Sequence, residues 1–340
     1  MRALLGALLA LPLLLADVAA APRPGAPAHH GPHGFRNVSP DYAYPILRRA
    51  ARVAERLLQG PVDRGRPPAV LPNDGAVLRA NRRAPTLTWV GHATFLVQLE
   101  GVNLLTDPVW SERTGPVPFT GPRRLLPPGL RFEDLPPVHA VLISHDHYDH
   151  LDLPTLRRLA AGHRPRFLVP LGLKAWLERE AGARDVVELD WWERAPLGPL
   201  TVVCTPAQHS SGRGLHDQNR RLWASWSVLG QQRRFFFAGD TGYYAGFREI
   251  GERLGPFDVA AVPIGGYRDW THHPNHVNPE EAVQLFEDVR GRLLVPMHWG
   301  TFALNREPFH EPPARLLHEA LRRGLEERVA PLVPGETIPW

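Results

Sequence analysis

Short apolar runs separated by turn residues organise the chain from residue 85 onward. Runs of this length bounded by Gly, Pro, Asn or Asp are typical of strands that are buried in a sheet. We predict strands at Thr86–Val90, Thr94–Leu99, Val102–Thr106, Val138–Ser144, Phe167–Val169, Val186–Leu189, Leu200–Thr205, Leu222–Leu229, Arg234–Ala238, Asp258–Pro263 and Leu293–Met297.

Apolar residues spaced three and four positions apart mark the helices. This spacing predicts helices at Asp41–Gln59, Leu153–Ala161, Leu173–Ala181 and Ala314–Arg323. Another helix begins after Asn278, because Pro279 and Glu281 complete the signature of a capping box. Strands come first in runs and then alternate with helices, so we expect sheets packed on each other with helices outside.

The N-terminal 20 residues have the pattern of an export signal. Met1 and Arg2 precede the apolar run Ala3–Ala16, and small residues follow at Val18-Ala19-Ala20. These features are typical of a secretory signal peptide. The run is shorter than the roughly 20 residues that a membrane span needs, and an uncleaved anchor is the alternative. We therefore expect an exported protein, periplasmic or extracellular, with membrane association as the second option.

Residues 21–40 are rich in Pro, Gly and His, and we interpret them as a flexible linker to one domain at residues 41–340. A tract such as His29, His30 and His33 can also bind metal. The whole composition is globular, with 43% hydrophobic and 22% charged residues. The sole cysteine, Cys204, cannot form an intramolecular disulfide. A formal net charge of +4 over this length only weakly supports a surface that attracts anions, and without an added basic domain we expect no binding of nucleic acid.

The densest group of chemically active residues directly follows the predicted strand Val138–Ser144. His145, His147, Asp149 and His150 fall within six positions there. Imidazole and carboxylate ligands suit Zn²⁺. Two histidines two positions apart point the same way in an extended segment, so they can share one ion. This spacing predicts a metal site at the end of the strand.

Three further residues of ligand type follow predicted strands in the same manner. His209 comes after Leu200–Thr205, Asp240 after Arg234–Ala238 and His298 after Leu293–Met297. One histidine behind a strand carries little information, but three such positions together with the dense cluster indicate one constructed metal centre.

These residues carry a resemblance. His145-Asp146-His147-Tyr148-Asp149-His150 is similar to the H-x-H-x-D-H signature of the metallo-β-lactamase superfamily. The chain resembles one branch more closely, the N-acylphosphatidylethanolamine-hydrolysing phospholipase D (NAPE-PLD) family. The similar segments are Trp89–Thr94, Leu105–Pro108, Leu222–Gly230, Phe236–Tyr243, His276–Ala282 and Met297–Leu304. The resemblance covers about Pro40 to Pro313 and implies an α/β fold of the αβ/βα sandwich type.

The resemblance also implies two Zn²⁺ per chain and phosphodiester hydrolysis. One zinc would bind His145, His147 and His209, the other would bind Asp149, His150 and His298, and Asp240 would bridge the two. Water held between the ions would be acidified for attack on phosphorus. The expected reaction converts N-acylphosphatidylethanolamine to N-acylethanolamine and phosphatidic acid, so the partner would be a phospholipid at a membrane surface.

Four residues near the ligands are candidates for supporting roles. Asp107 and Asp152 would orient ligand imidazoles, or else serve as turn carboxylates. By resemblance, His276 would donate a hydrogen bond to the phosphodiester and Tyr148 would shape the same pocket. The alternative for His276 is a helix cap or a surface position.

Two other classes of function stay open. The same metals could serve a lactonase or another acyl hydrolase, since one fold hosts many reactions. A metal-binding or redox module without hydrolytic activity is the third hypothesis, which the complete ligand set disfavours. The oligomeric state is open, with a homodimer as one candidate.

Overall fold

The computed structural model describes residues 25–39, 62–214, 216–267, 275–304 and 306–340. The strands in these ranges are β1 His30–Gly31, β2 Gly34–Phe35, β3 Thr86–Gly91, β4 Thr94–Leu99, β5 Val102–Thr106, β6 Ala140–Leu142, β7 Arg166–Pro170, β8 Val186–Leu189, β9 Arg194–Leu197, β10 Leu200–Thr205, β11 Ser225–Leu229, β12 Arg234–Phe237, β13 Phe257–Pro263, β14 Gly291–Met297 and β15 Thr337–Pro339. The α-helices are α1 Ala76–Ala80, α2 Leu153–Gly162, α3 Lys174–Trp176, α4 Gly246–Leu254, α5 Pro279–Asp288 and α6 Glu311–Arg322. A π-helical turn, Leu177–Ala181, continues α3, and 3-10 turns lie at Phe132–Asp134 and Glu326–Arg328.

Two mixed sheets form the centre of the molecule. The larger has seven strands in the order β15-β3-β4-β5-β6-β7-β8, and the smaller has six in the order β14-β13-β12-β11-β10-β9. Pairing is parallel from β5 to β8 and from β12 to β14, and antiparallel elsewhere in the two sheets. With helices packed outside, this is the αβ/βα sandwich that the sequence predicts.

The alternation along β4 explains how one strand is buried on both faces. Phe95 and Val97 belong to the main core cluster, which also contains Trp226 from the smaller sheet. Leu96 faces the other way, into the cluster that contains Leu156 of α2. Successive strand side chains point to opposite faces, so an uninterrupted apolar run fits a strand covered on both sides.

Most predicted elements are confirmed, and the differences have local causes. The bounds of β4, β5, β8 and β10 agree with the prediction, as does the capping box at Asn278 and Glu281. The predicted strand Leu222–Leu229 is wrong at its start, because the N–H of Ala224 donates to the carbonyl of Ser144, in the loop after β6 of the larger sheet, rather than to a neighbouring strand (2.9 Å). Several short elements were not predicted, among them β1, β2, α1, β9, which contains Pro196, β15, and α4, which glycines interrupt.

Residues 25–39, here called the N-terminal strap, pack against the domain. The N–H of Phe35 donates to the Asn219 carbonyl at 2.7 Å. Gly34 has φ +151°, and a Cβ there would lie 2.1 Å from that same carbonyl oxygen, so only glycine allows the approach. The interpretation of this stretch as a flexible linker is therefore wrong for the strap, which forms the hairpin β1–β2 and is hydrogen-bonded to the domain.

Two sequence predictions lie outside the described residues: the export signal at residues 1–20 and the helix Asp41–Gln59. Among the residues that are described, no helix combines the length and apolar character needed to cross a membrane.

Candidate metal centre

The polar residues of the centre follow strands that end at one edge of the sandwich. Both β10 and β12 pair antiparallel with β11, so β10 runs in the same direction as β12, β13 and β14. Loops at this edge hold His209 after β10, Asp240 after β12 and His298 after β14. The loop after β6 of the larger sheet supplies the remaining ligand candidates, His145, His147, Asp149 and His150.

Three histidines form the first group. The Nδ1 atom of His147 lies 2.8 Å from Nε2 of His145 and 3.2 Å from Nε2 of His209. Burial lowers the pKa of His145 and of His209 well below the ordinary value. Both rings are therefore neutral near pH 7, which is the form that can bind a metal.

Asp149, His150 and His298 form the second group. Oδ2 of Asp149 lies 3.3 Å from Nε2 of His150 and 3.5 Å from Nε2 of His298. Burial opposes a positive charge on His298, but the Asp240 carboxylate outweighs it and raises the pKa of His298 to about 9. Asp240 and Asp149 likewise raise the pKa of His150 well above its ordinary value despite burial.

Asp240 lies between the two groups. Its Oδ2 atom is 3.2 Å from Nε2 of His150 and 3.1 Å from Nε2 of His298. The same oxygen is 3.9 Å from Nε2 of His145 and 3.8 Å from Nε2 of His209. One carboxylate thus reaches all four rings.

Gly239 places Asp240 in this position. It has φ +60°, and a Cβ there would lie 2.6 Å from Cβ of Ser144 and 3.0 Å from the Ala224 carbonyl oxygen. A larger residue would push the Asp240 loop away from the histidine loop.

Asp107 and Ser144 hold the histidine loop from behind. Oδ2 of Asp107 accepts from Nδ1 of His150 at 2.7 Å and from the hydroxyl of Ser144 at 2.5 Å. Nδ1 of His145 in turn donates to the Ser144 hydroxyl at 2.9 Å. The structure thus supports the predicted orienting role of Asp107.

Asp152 does not share that role. Its carboxylate accepts from the hydroxyls of Ser111 (2.7 Å) and Thr155 (2.5 Å) and from the N–H of Trp110 (3.3 Å). No histidine among the described residues donates to it. The prediction that Asp152 orients an imidazole is wrong, and its alternative, a turn carboxylate, describes it.

Comparison with known proteins fits this geometry. A family model described as "Beta-lactamase superfamily domain" matches residues 102–299. N-acyl-phosphatidylethanolamine-hydrolyzing phospholipase D 1 of Caenorhabditis elegans is 44% identical over 245 residues, which is 69% of each chain. The mitochondrial N-acyl-phosphatidylethanolamine-hydrolyzing phospholipase D of Saccharomyces cerevisiae is 34% identical over 77% of this chain and 56% of its own. The chain belongs to the NAPE-PLD family of the metallo-β-lactamase superfamily.

A solved structure agrees with the assignment of fold. Igni18, a metallo hydrolase of the archaeon Ignicoccus hospitalis, superimposes with a TM-score of 0.56 at 25% identity, over 76% of this chain and 98% of its own. The resemblance stated from the sequence is confirmed. This member of the NAPE-PLD family is a metal-dependent hydrolase with His and Asp clusters that could bind metal.

The hydrogen bonds around the clusters fit such metals. His145, His150 and His209 each donate Nδ1–H to a neighbour, to Ser144 Oγ, Asp107 Oδ2 and the Asn275 carbonyl respectively. The neutral rings of His145 and His209 donate from Nδ1 and so carry a lone pair on Nε2, and the Nε2 atoms of all three histidines face Asp240. Oδ1 of Asp240 is buried and makes no hydrogen bond to any described residue. An unpaired buried carboxylate oxygen is costly. Bound cations would therefore satisfy these ligand atoms better than the ligand atoms satisfy one another.

His92 completes the centre, and the sequence analysis gave it no role. It donates from Nε2 to Oδ2 of Asp149 at 2.9 Å, and its ring lies 4.2 Å from that of His298. Burial lowers the pKa of His92 to about 3, which keeps it neutral. The signal was its position directly after β3, the pattern shared by the other histidines.

The two predicted substrate residues lie at different distances from the clusters. The ring of His276 is 5.2 Å from that of His209 and 5.4 Å from that of His298, and Nδ1 lies 3.9 Å from Oδ2 of Asp240. Tyr148 donates its hydroxyl to the Arg213 carbonyl at 2.8 Å, and it lines an adjacent cavity of about 510 Å³. The contacts of both residues with substrate stay predictions.

Proposed function

We propose that the protein is a di-zinc phosphodiesterase that hydrolyses N-acylphosphatidylethanolamine to N-acylethanolamine and phosphatidic acid. The observation that carries this proposal is the arrangement of two three-residue groups on either side of one carboxylate, in a chain 44% identical to a phospholipase D with that substrate in its name. Two cations on either side of a bridging carboxylate are typical of centres for phosphodiester hydrolysis.

Each group would hold one ion. His145, His147 and His209 would bind the first zinc, Asp149, His150 and His298 the second, and Asp240 both. When bound, such a pair of ions acidifies water and neutralises charge on a phosphodiester. The chain's own contribution is orientation, because Asp107 and Ser144 fix the rings of His150 and His145.

His276 and the cavity beside Tyr148 would receive the substrate. The imidazole of His276 lies close to both groups, and its N–H can donate to a phosphodiester oxygen. The neighbouring cavity has Arg113, Arg157 and Arg213 along its wall with Val117, a lining that suits an anionic headgroup and an apolar chain. We propose that the exported protein meets this lipid at a membrane surface.

An assay on lipid vesicles tests the proposal. The purified full chain, with its zinc content measured, is incubated with vesicles that contain N-acylphosphatidylethanolamine, and mass spectrometry follows the products. We expect N-acylethanolamine and phosphatidic acid in equal amounts, with loss of the reaction after Asp240→Ala.

Two results would contradict it. Release of free fatty acid from the same vesicles, or turnover of lactones without turnover of the lipid, would favour the acyl hydrolase alternative. Asp185→Asn, which changes an exposed carboxylate with a side chain 51% exposed, serves as the matched control and should keep full activity.

A further inference from the structure

The N-terminal strap brings a second cluster of ligand-type side chains together. Nε2 of His29 donates to Oδ1 of Asp190 at 2.6 Å, and Nε2 of His30 donates to Oδ2 of the same carboxylate at 2.8 Å. None of these three residues belongs to the centre described above. The ligand atoms of the three lie within 4.8 Å of one another, as the donors of a metal site do.

Backbone hydrogen bonds hold the two histidines where they are. The N–H of His30 donates to the Pro27 carbonyl, and the N–H of Arg36 donates to the His29 carbonyl, both at 2.9 Å. His29 and His30 therefore lie at the start of the hairpin β1–β2, where these hydrogen bonds fix their backbone.

Asp190 is fixed from the domain side. It directly follows β8, and its own N–H donates to Oε2 of Glu193 at 2.8 Å. Oδ1 of Asp190 also accepts from the N–H of Trp191 at 2.8 Å. Both partners of the cluster are thus placed before any ligand arrives, which reduces the entropic cost of binding.

The surroundings leave one side of the cluster open. The His29 side chain is 8% exposed and its ring stacks on Trp191 with centroids 4.2 Å apart. The side chains of Asp190 and His30 are 15% and 31% exposed, so solvent reaches the cluster from the His30 side. Two imidazoles and one carboxylate are ligand types that suit a divalent cation that keeps a water ligand.

We propose that His29, His30 and Asp190 form a third metal site, which binds one divalent transition metal such as Zn²⁺ and fastens the strap to the domain. Each imidazole would carry its proton on Nδ1 instead of Nε2, so that Nε2 becomes a ligand. The ion would tie together positions about 160 residues apart, a long loop whose closure in the unfolded chain is entropically costly. The proposal goes beyond the proposed hydrolysis and does not depend on the substrate.

Metal counting tests the site directly. The untagged full chain is stripped with a chelator, titrated with Zn²⁺ alone and freed of unbound metal, and its zinc is measured by elemental analysis. We expect His30→Gln and Asp190→Asn to bind one zinc ion fewer per chain than the wild type. His33→Gln changes an exposed histidine of the same strap and should bind as much zinc as the wild type.

Limited trypsin digestion supplies a second measurement. Arg36 is exposed within the strap, and Zn²⁺ should slow cleavage after it in the wild type but not in His30→Gln. Equal zinc content in the wild type and both cluster variants, with no protection at Arg36, would overturn the third site. If the wild type does not hydrolyse the lipid, only the proposed function is contradicted, because neither zinc content nor trypsin protection measures turnover.

Discussion

At the scale of single residues, the centre is arranged around proton positions on its rings. Asp107 accepts from Nδ1 of His150, and Asn275 accepts from Nδ1 of His209, so each ring presents its second nitrogen to Asp240. His92 does the reverse for Asp149, since it donates to the carboxylate and occupies one lone pair. Residues that bind no metal thereby decide which atoms can.

His276→Ala tests the predicted contact with substrate. A hydrogen bond to a charged oxygen contributes about 1.5–3 kcal/mol, so kcat/KM should fall roughly tenfold to a hundredfold. The side chain lies beside both groups of ligands but outside the proposed set of seven, and zinc content should stay unchanged. Steady-state kinetics on N-acylphosphatidylethanolamine and elemental analysis measure the two quantities.

His318→Ala is the control for this variant, because His318 is an exposed histidine on α6. It should keep the kcat/KM of the wild type. Loss of a zinc ion from His276→Ala would show that His276 is a ligand, which its closeness to His209 and Asp240 would then explain. Unchanged turnover would refute the predicted role in substrate binding.

The sequence identifies the positions of the centre better than their supports. His145, His209 and Asp240 could be predicted because each follows an apolar run, and the ends of strands that run in one direction meet at one edge. His92 has the same position after a strand, but its contact with Asp149 depends on a turn. Asn37 could not be predicted, because its contact depends on the strap, which lies far from the site in sequence. Asp152 shows the opposite failure, since a carboxylate near the ligands in sequence serves the start of α2 instead.

At the scale of elements, the strap supplies hydrogen bonds to the backbone of the loop that holds His209. Nδ2 of Asn37 donates to the His209 carbonyl at 2.7 Å, and Oδ1 of Asn37 accepts from the His209 N–H at 3.0 Å. One amide thus satisfies both backbone groups of His209, just beyond the end of β10. The stretch is rich in Pro, Gly and His, so its composition suggests a linker and conceals this contact.

Asn37→Ala should therefore weaken metal binding. The backbone of His209 loses both partners, and changes next to a ligand typically reduce metal affinity by about tenfold to a hundredfold. Asn37→Asp keeps the acceptor but loses the donor, so we expect its zinc affinity to lie between those of the wild type and Asn37→Ala. Competition with a zinc chelator measures each affinity, and kcat should fall with it.

Val38→Ala is the matched control, because Val38 is the next residue and is 43% exposed. Zinc affinity equal to that of the wild type in Asn37→Ala would show that Asn275 alone suffices to hold His209. An equal loss of affinity in Val38→Ala would point to a general loosening of the strap instead.

Element boundaries could be predicted where a strand pairs with its neighbours along its full length. The ends of β4 and β10 agree with their apolar runs, because both strands pair along their full length. The strand predicted at Leu222 starts late because hydrogen bonds to the loops that follow β6 and β7 replace the ladder there. The edge strand β9 escaped prediction because Pro196 interrupts the donor pattern that a central strand would need.

At the scale of the whole molecule, the centre joins the two sheets. His145, His147, Asp149 and His150 follow a strand of the larger sheet, whereas His209, Asp240 and His298 follow strands of the smaller one. Bound ions would therefore link both halves of the sandwich, in addition to the core between them. Metal binding and folding should be coupled, since the ligands converge only in the folded chain.

Chelation should accordingly lower the melting temperature. A ligand that binds only the native state at a hundred times its Kd stabilises it by about 2.7 kcal/mol, which for a chain of 340 residues corresponds to roughly 4 °C. Differential scanning calorimetry with zinc and with a chelator measures the shift. Asp240→Ala, which lacks the carboxylate between the two groups, should melt at nearly one temperature under both conditions.

The effect should also grow with pH, and its sign follows from His298. Burial opposes its protonation, but Asp240 and Asp149 raise the pKa of His298 to about 9 in the metal-free site. A raised pKa stabilises the metal-free fold fully below the ordinary histidine value, and this contribution is lost as pH rises through about 9. Zinc replaces that proton, so the zinc-dependent rise in Tm should be larger at pH 8 than at pH 6.

Asp185→Asn, at an exposed carboxylate of the surface, should retain this dependence. A zinc effect that shrinks as pH rises, or one that persists in Asp240→Ala, would contradict a metal centre that joins the two sheets.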